Sequence, residues 1–201
     1  MALIKLNNRG VKDATAFGSI SSLGSLTFIS KQTASSSATI SFTSGIDSTY
    51  KEYIFYFINM HPSASSGFTF QTSTNGGSSY GVTTTTTYFQ ADHPENDSSA
   101  TLTYVAGSDL AQSTNFQTLS HPSGVDDDND ASFNGVLSLF NPSSTTFVKH
   151  FISRGNAMYP SWNVNSFVSG YFNTTSAINA VQFKFSSGNI DSGDILLFGL
   201  N

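Results

Sequence analysis

The feature that most constrains this chain is a series of short runs in which apolar and polar residues alternate, separated by turn-forming residues. We count about eleven such runs, with a turn signal roughly every 8 to 15 residues. No stretch has the 3.6-residue period of an amphipathic helix. The pattern therefore predicts an all-β fold, a jelly-roll-like antiparallel β-sandwich that occupies residues 25–201.

Two stretches are apolar on both faces of the predicted strand. The first is "KEYIFYFINM" at residues 51–60, and the second is Ile195–Phe198, close to the last residue of the sequence. A strand of this kind needs cover on both sides. We therefore predict that both strands are central in the sandwich, and that deletion of the final strand prevents folding.

Turn chemistry marks several boundaries between strands. "NGG" at 75–77 predicts a turn, because Asn and Gly tolerate positive φ. "NPSS" at 141–144 separates two apolar runs and predicts a hairpin. Gly170, inside "SFVSGYF", indicates a bulge or a close packing point. The Ser/Thr-rich stretch 31–42 is interpreted as a low-complexity lead-in to the first convincing strand.

Composition excludes several kinds of site. Charged residues make up 10 % of the chain, there are 18 Phe, and there is no Cys. The Phe content is sufficient for a sizeable core, and the lack of Cys excludes disulfides, thiolate metal sites and Cys nucleophiles. No apolar run approaches the roughly 20 residues that cross a bilayer, so we expect no membrane insertion. No motif indicates a cofactor.

Charge is distributed unevenly along the chain. The net charge is −5, the N-terminus carries Lys5, Arg9 and Lys12, and the middle is acidic. Three basic residues do not make the basic surface that nucleic-acid binding requires. Residues 1–24 contain one apolar patch, "LIKL", and are too few to form a core of their own. We interpret them as an extended N-terminal anchor, or as a solvated tail without a role.

Candidate metal ligands have weak support. Three His residues precede Pro, at His61, His93 and His121, and turn formation explains them best. The loop "GVDDDNDAS" brings together Asp126–Asp130, and Ca²⁺ prefers such oxygen ligands. The spacing of an EF-hand is absent, so a solvated acidic loop is favoured and Ca²⁺ binding stays open.

Candidate catalytic and binding residues are few. Asp92, Glu95 and Asp97 could supply a carboxylate pair for glycoside hydrolysis, but nothing else in the sequence supports catalysis, and we expect no enzyme. Trp162, the sole Trp, lies close to Tyr159. This pair predicts either an anchor in the core or in an interface, or a ligand surface on which a sugar stacks.

Several segments resemble a recurrent family of virion structural proteins from tailed phages of marine bacteria, including cyanophages. They are "GIDSTYKEYIFYF", "LFNPSSTTFVKHFIS" and "NTTSAINAVQFKFSSGNIDSGDILLFGL", and "ALIKLNNRGVKDATAFGSI" resembles the N-terminal lead of many members. The resemblance covers about residues 40–200 and that lead. It implies a tail-fibre-like or capsid-attached protein, and it brings no catalytic residues.

On this resemblance we expect a non-enzymatic protein of the virion surface, made in the cytoplasm of the bacterial host. Its partners would be other capsid or tail proteins of the phage, and it would form a homo-oligomer, a trimer by analogy. The anchor contacts would come from Leu3, Ile4, Lys5, Leu6 and Arg9. The alternative is a receptor- or carbohydrate-binding module of a tail fibre, which binds a host-surface glycan through Tyr159 and Trp162.

Overall fold

A computed structural model describes residues 26–201, and this part of the chain consists of twelve β-strands joined by turns and loops. Within it there is no helix with the length and apolarity to span a membrane. The strands are β1 Leu26–Ser37, β2 Ile40–Phe42, β3 Glu52–Pro62, β4 Phe68–Ser73, β5 Thr84–Pro94, β6 Thr101–Tyr104, β7 Gln117–Thr118, β8 Phe133–Phe140, β9 Lys149–Tyr159, β10 Trp162–Phe172, β11 Ala180–Phe185 and β12 Ile190–Leu200.

The strands form two antiparallel sheets that pack against each other. The large sheet has eight strands in the order β1-β12-β3-β8-β9-β10-β5-β6, and the small sheet has four in the order β2-β11-β4-β7. The predicted antiparallel β-sandwich is therefore confirmed. The N-terminal segment 1–24, with the proposed anchor residues Leu3, Ile4, Lys5, Leu6 and Arg9, lies outside the described residues.

Aromatic side chains fill the space between the sheets. Phe183 of the small sheet is fully buried, and it lies at the centre of this layer. Its ring centroid is 5.1–6.2 Å from the centroids of five other rings. These belong to Phe42, Phe55, Phe57, Phe68 and Phe70. The abundance of Phe in the sequence thus corresponds to one continuous aromatic core.

The interpretation of residues 31–42 as a low-complexity lead-in is wrong. Most of this stretch belongs to β1, which pairs with β12 from Leu26 to Ser37 at the edge of the large sheet. Ala34 is the one buried apolar side chain of β1. An edge strand supported by backbone hydrogen bonds needs few apolar residues, and the hydrophobic pattern is therefore weak here.

Several local predictions are confirmed. β8 and β9 pair as neighbours on either side of the 141–144 turn, and β12 lies between β1 and β3. Gly76 and Gly77 both have positive φ, as the predicted turn requires. A Cβ atom on Gly170 would lie 2.5 Å from the carbonyl oxygen of Thr85, so this glycine is a close packing point.

The large sheet is wider than the small one, and this difference determines where the candidate site lies. Beyond β8, the strands β9, β10, β5 and β6 extend the large sheet to one side. The small sheet packs against the inner face of the large sheet, but it does not cover the end of the β9–β10 hairpin. The end of the β9–β10 hairpin is covered instead by the loop that follows β7, and a pocket forms between them.

Candidate functional site

Tyr159 and Trp162 lie side by side at the tip of the β9–β10 hairpin. Tyr159 is the last residue of β9, Trp162 is the first residue of β10, and the two are paired in register. Only two residues join them, and one of these, Ser161, has a φ of 57°. The backbone N–H of Glu95 donates to the Ser161 carbonyl at 2.9 Å. The tight turn and this hydrogen bond fix the two aromatic side chains as neighbours.

Asp92 supplies the carboxylate of the site. It lies on β5 directly opposite Val164 of β10, so its side chain is on the same face of the sheet as Trp162. The hydroxyl of Thr101, on β6, donates to Asp92 Oδ1. One carboxylate oxygen is thereby oriented, and the carboxylate retains acceptor capacity for a ligand.

His121 enters the site from the loop that follows β7. This loop is held at both ends, because Leu119 and Val125 are fully buried. The backbone N–H of Gly124 donates to the His121 carbonyl at 2.9 Å. The imidazole lies on the ring of Tyr159, with centroids 4.6 Å apart and planes inclined by 27°. Stacking therefore places the imidazole in the same pocket as the hairpin tip.

The protonation of His121 follows from its neighbours. The backbone N–H of Ser123 donates to Nδ1 at 3.2 Å, so the neutral ring carries its proton on Nε2. Burial lowers the pKa of His121 below its ordinary value, and the negative charge of Asp92 opposes this shift in part. Near neutral pH, His121 is therefore an uncharged ring with one N–H donor.

These four side chains and Val164 line a cavity of about 280 Å³. Two aromatic rings and a valine make its apolar walls, the imidazole provides a donor, and the carboxylate provides an acceptor. Mostly apolar walls with a few fixed polar groups are typical of small-molecule sites. The volume suits one ring of a small polyol, with hydroxyls for the polar groups and C–H bonds for the aromatic faces.

The acidic loop lies next to this site. The backbone N–H of Asp126 donates to the carbonyl of Met158, the residue before Tyr159, at 3.1 Å. The Ser65 hydroxyl contacts the carboxylates of both Asp126 and Asp127, and its hydrogen bond lowers the pKa of Asp127. Within residues 26–201, no group of three or more His, Asp or Glu side chains is placed to hold a metal ion.

The structure places the predicted binding residues, Tyr159 and Trp162, in one pocket. It also separates the three acidic residues considered for catalysis. Asp92 lines the pocket, whereas Glu95 and Asp97 lie on the exposed loop after β5, where Asp97 contacts His93 at 3.1 Å. His121 could not be predicted from the sequence, because its His-Pro pair looks the same as those at His61 and His93. Only the path of the loop after β7 brings His121 into the pocket.

The chain was compared with known protein families, with curated proteins and with solved structures. The chain matches no family model, no curated protein and no solved structure.

Proposed function

We propose that this domain is a non-enzymatic carbohydrate-binding module exposed on a phage virion. The observation that carries the proposal is the pocket of Tyr159, Trp162, His121 and Asp92. A sugar ring has an apolar C–H surface and a rim of hydroxyls. The aromatic walls match the first, and the carboxylate and the imidazole N–H match the second.

Binding without hydrolysis is supported by the number of carboxylates. Glycoside hydrolysis uses two carboxyl groups that flank the scissile bond. Asp92 is the one carboxylate among the residues that line this pocket. His121 is stacked on Tyr159, and its Nδ1 is occupied by the Ser123 N–H, which leaves Nε2–H as a donor toward a ligand.

Placement on a virion is supported by the segment resemblance and by strand order. We infer a jelly-roll topology, because β1-β12-β3-β8 faces β2-β11-β4-β7 and the chain alternates between the two sheets around this core. Double-sheet jelly rolls are common in viral capsid and lectin domains. In this topology, β5, β6, β9 and β10 are insertions, and they carry most of the pocket.

A second candidate function is capsid decoration or a fibre head, with attachment through residues 1–24 to other phage proteins. The observation that favours a role in assembly is the exposed apolar surface of the large sheet. Immunogold labelling and copy number on purified particles test this function directly. Many copies over the head support decoration, and a few copies at the tail support a fibre.

Fluorescence titration tests the binding function, because Trp162 is the sole Trp and its emission reports on the pocket. We expect monosaccharides and oligosaccharides from host lipopolysaccharide to change the emission, with a Kd of roughly millimolar for a single ring. Asp92→Asn should weaken binding about 10-fold, because a charge-assisted hydrogen bond contributes about 1.5 kcal/mol.

Asp97→Asn is the matched control. It removes the same charge from the β5–β6 loop, at a side chain that is 90 % exposed, and it should leave binding unchanged. Unchanged Trp162 emission with every sugar tested, from protein with a native circular dichroism spectrum, would contradict carbohydrate binding at this pocket.

A further inference from the structure

The outward side of the large sheet, which we call the outer face, is unusually apolar. Within residues 26–201, every exposed large apolar side chain except Phe147 lies on it. The most exposed are Leu102, Ile152 and Phe28, which are 74 %, 57 % and 56 % accessible. Monomeric soluble proteins rarely expose a continuous apolar patch of more than a few hundred Å².

The strand register aligns three of the exposed side chains, Tyr56, Phe89 and Tyr104, in one continuous row. This row crosses six neighbouring strands, β3, β8, β9, β10, β5 and β6. It consists of Tyr56, Val136, Arg154, Phe167, Phe89 and Tyr104. Within it, the rings of Phe89 and Phe167 stack with centroids 4.8 Å apart and planes inclined by 7°. The patch is therefore an ordered surface rather than a scatter of single residues.

Charge on the outer face also follows the pattern of an interface. Arg154 is the one charged residue of the row, and its guanidinium lies 5.3 Å from the centroid of the Phe167 ring. The ion pair between Lys31 of β1 and Asp194 of β12 lies toward the β1 edge. Interface centres are rich in aromatic residues and Arg and poor in Lys, Glu and Asp. No excess of charge favours a strongly acidic or strongly basic partner.

The dimensions of the outer face indicate which kind of occupant fits. Eight strands at about 4.8 Å spacing span ~34 Å, and three outward-facing rows of side chains span ~20 Å along the strands. The central row is mostly apolar, and the two flanking rows also contain polar side chains such as Ser138, Ser169 and Asn165. The resulting area of ~700 Å² is close to the roughly 800 Å² per partner of a standard specific interface. A single extended segment would cover only a narrow band of it. A second flat sheet packs face to face at about 10 Å and would cover the whole area.

We propose that the outer face is the surface through which copies of this chain associate, sheet against sheet. The occupant is a second copy, because it brings a flat surface of the same area, the same aromatic character and the same near-neutral charge. This interface would also supply the cover that β3 needs, since Tyr56 and Ile58 face outward from a strand that is apolar on both sides.

Sedimentation velocity of the full-length chain between about 1 and 100 μM tests the proposal. We expect a concentration-dependent oligomer. Ile152→Glu places a charge at the centre of the outer face and should weaken association roughly 100-fold or more. Leu102→Glu, at a more exposed position on β6, serves as a second variant should the first prove unstable.

Phe147→Glu is the matched control. It makes the same apolar-to-acidic change at a residue that is 70 % exposed, in the loop between β8 and β9 and outside the strands that form the outer face. It should associate like the wild type. A wild-type chain that stays monomeric at 100 μM overturns the proposal. So does full association of folded Ile152→Glu and Leu102→Glu, or equal dissociation of Phe147→Glu.

Discussion

The two sheets present very different surfaces to water. The outward side of the small sheet is polar, with Gln182 beside Gln71 and Lys184 beside Thr69 in the strand register. The outward side of the large sheet is the apolar outer face. Both sheets share one aromatic core, so the contrast does not come from core packing. The small sheet is covered by its own chain, whereas the large sheet keeps an exposed apolar surface that the proposed association of copies would cover.

The small sheet owes its completeness to hydrogen bonds with a neighbouring loop. Gln71 is 1 % exposed although it points away from the core. Its amide donates to the carbonyls of Thr114 and Asn115, at 3.1 and 2.9 Å. The ammonium of Lys184 lies 4.4 Å from the centroid of the Phe116 ring. The loop before β7 therefore covers this side of the small sheet with polar contacts.

The largest expected effect is on the free energy of unfolding when the same Phe→Ala substitution is made in the shared core and on the outer face. Phe183→Ala should lower the free energy of unfolding by about 3–5 kcal/mol, because it removes the ring at the centre of the core. Phe28→Ala should cost about 1 kcal/mol or less, because Phe28 is 56 % exposed and packs edge-on against Phe198. Urea unfolding of dilute protein measures both. Equal costs would mean that the outer face is already covered within one chain.

An intermediate effect tests how the small sheet is completed. Gln71→Leu should lower the free energy of unfolding by about 1–3 kcal/mol, because it leaves two loop carbonyls and the Thr72 N–H without their partner. Thr87→Val on the outer face is the control, because the Thr87 hydroxyl contacts the Ser169 hydroxyl at an exposed position where water can replace it. It should change stability by less than about 0.5 kcal/mol. Similar losses from both variants would remove the contrast between the two sheets.

The smallest expected effect is on the free energy of unfolding at acidic pH. It comes from His121, in the pocket at the end of the β9–β10 hairpin. The pKa of His121 is lower in the folded chain than in the unfolded chain, so the unfolded chain binds a proton first as the pH falls. The stability that depends on neutral His121 is therefore present above about pH 6.5 and is lost as the pH falls through the folded pKa. Urea midpoints at pH 7.5 and pH 5 should differ more for the wild type than for His121→Phe. An identical pH dependence of the two proteins would contradict this origin.

Much of the fold could be predicted because its signals are local. The β8–β9 hairpin follows from two apolar runs around Asn141-Pro142, and the buried faces of β3 and β12 follow from period-two alternation. β1 was missed because backbone pairing with β12, rather than side-chain burial, holds it in place. The expectation that β3 is covered on both faces is met on one face only.

In the candidate site, too, some features could be predicted from short stretches of sequence and others could not. Tyr159 and Trp162 are close in sequence, and a two-residue connection makes them neighbours in the structure as well. His121 lies about forty residues from them in sequence, and Asp92 about seventy. Their place in the pocket depends on the pairing of β5 with β10 and on the path of the loop after β7. No short-range pattern encodes either feature.

The sequence by itself determined the all-β class, most strand positions and the aromatic core, and it singled out Tyr159 and Trp162 as a pair. Alternation and turn chemistry are properties of a few consecutive residues, so both can be recognised in the sequence. Only the tertiary structure decided that β11 and β12, although consecutive, lie in different sheets. It also decided which side of the large sheet stays open and which residues complete the pocket. These outcomes depend on pairing between distant strands, where many registers satisfy the local pattern and the packing of the whole chain selects one.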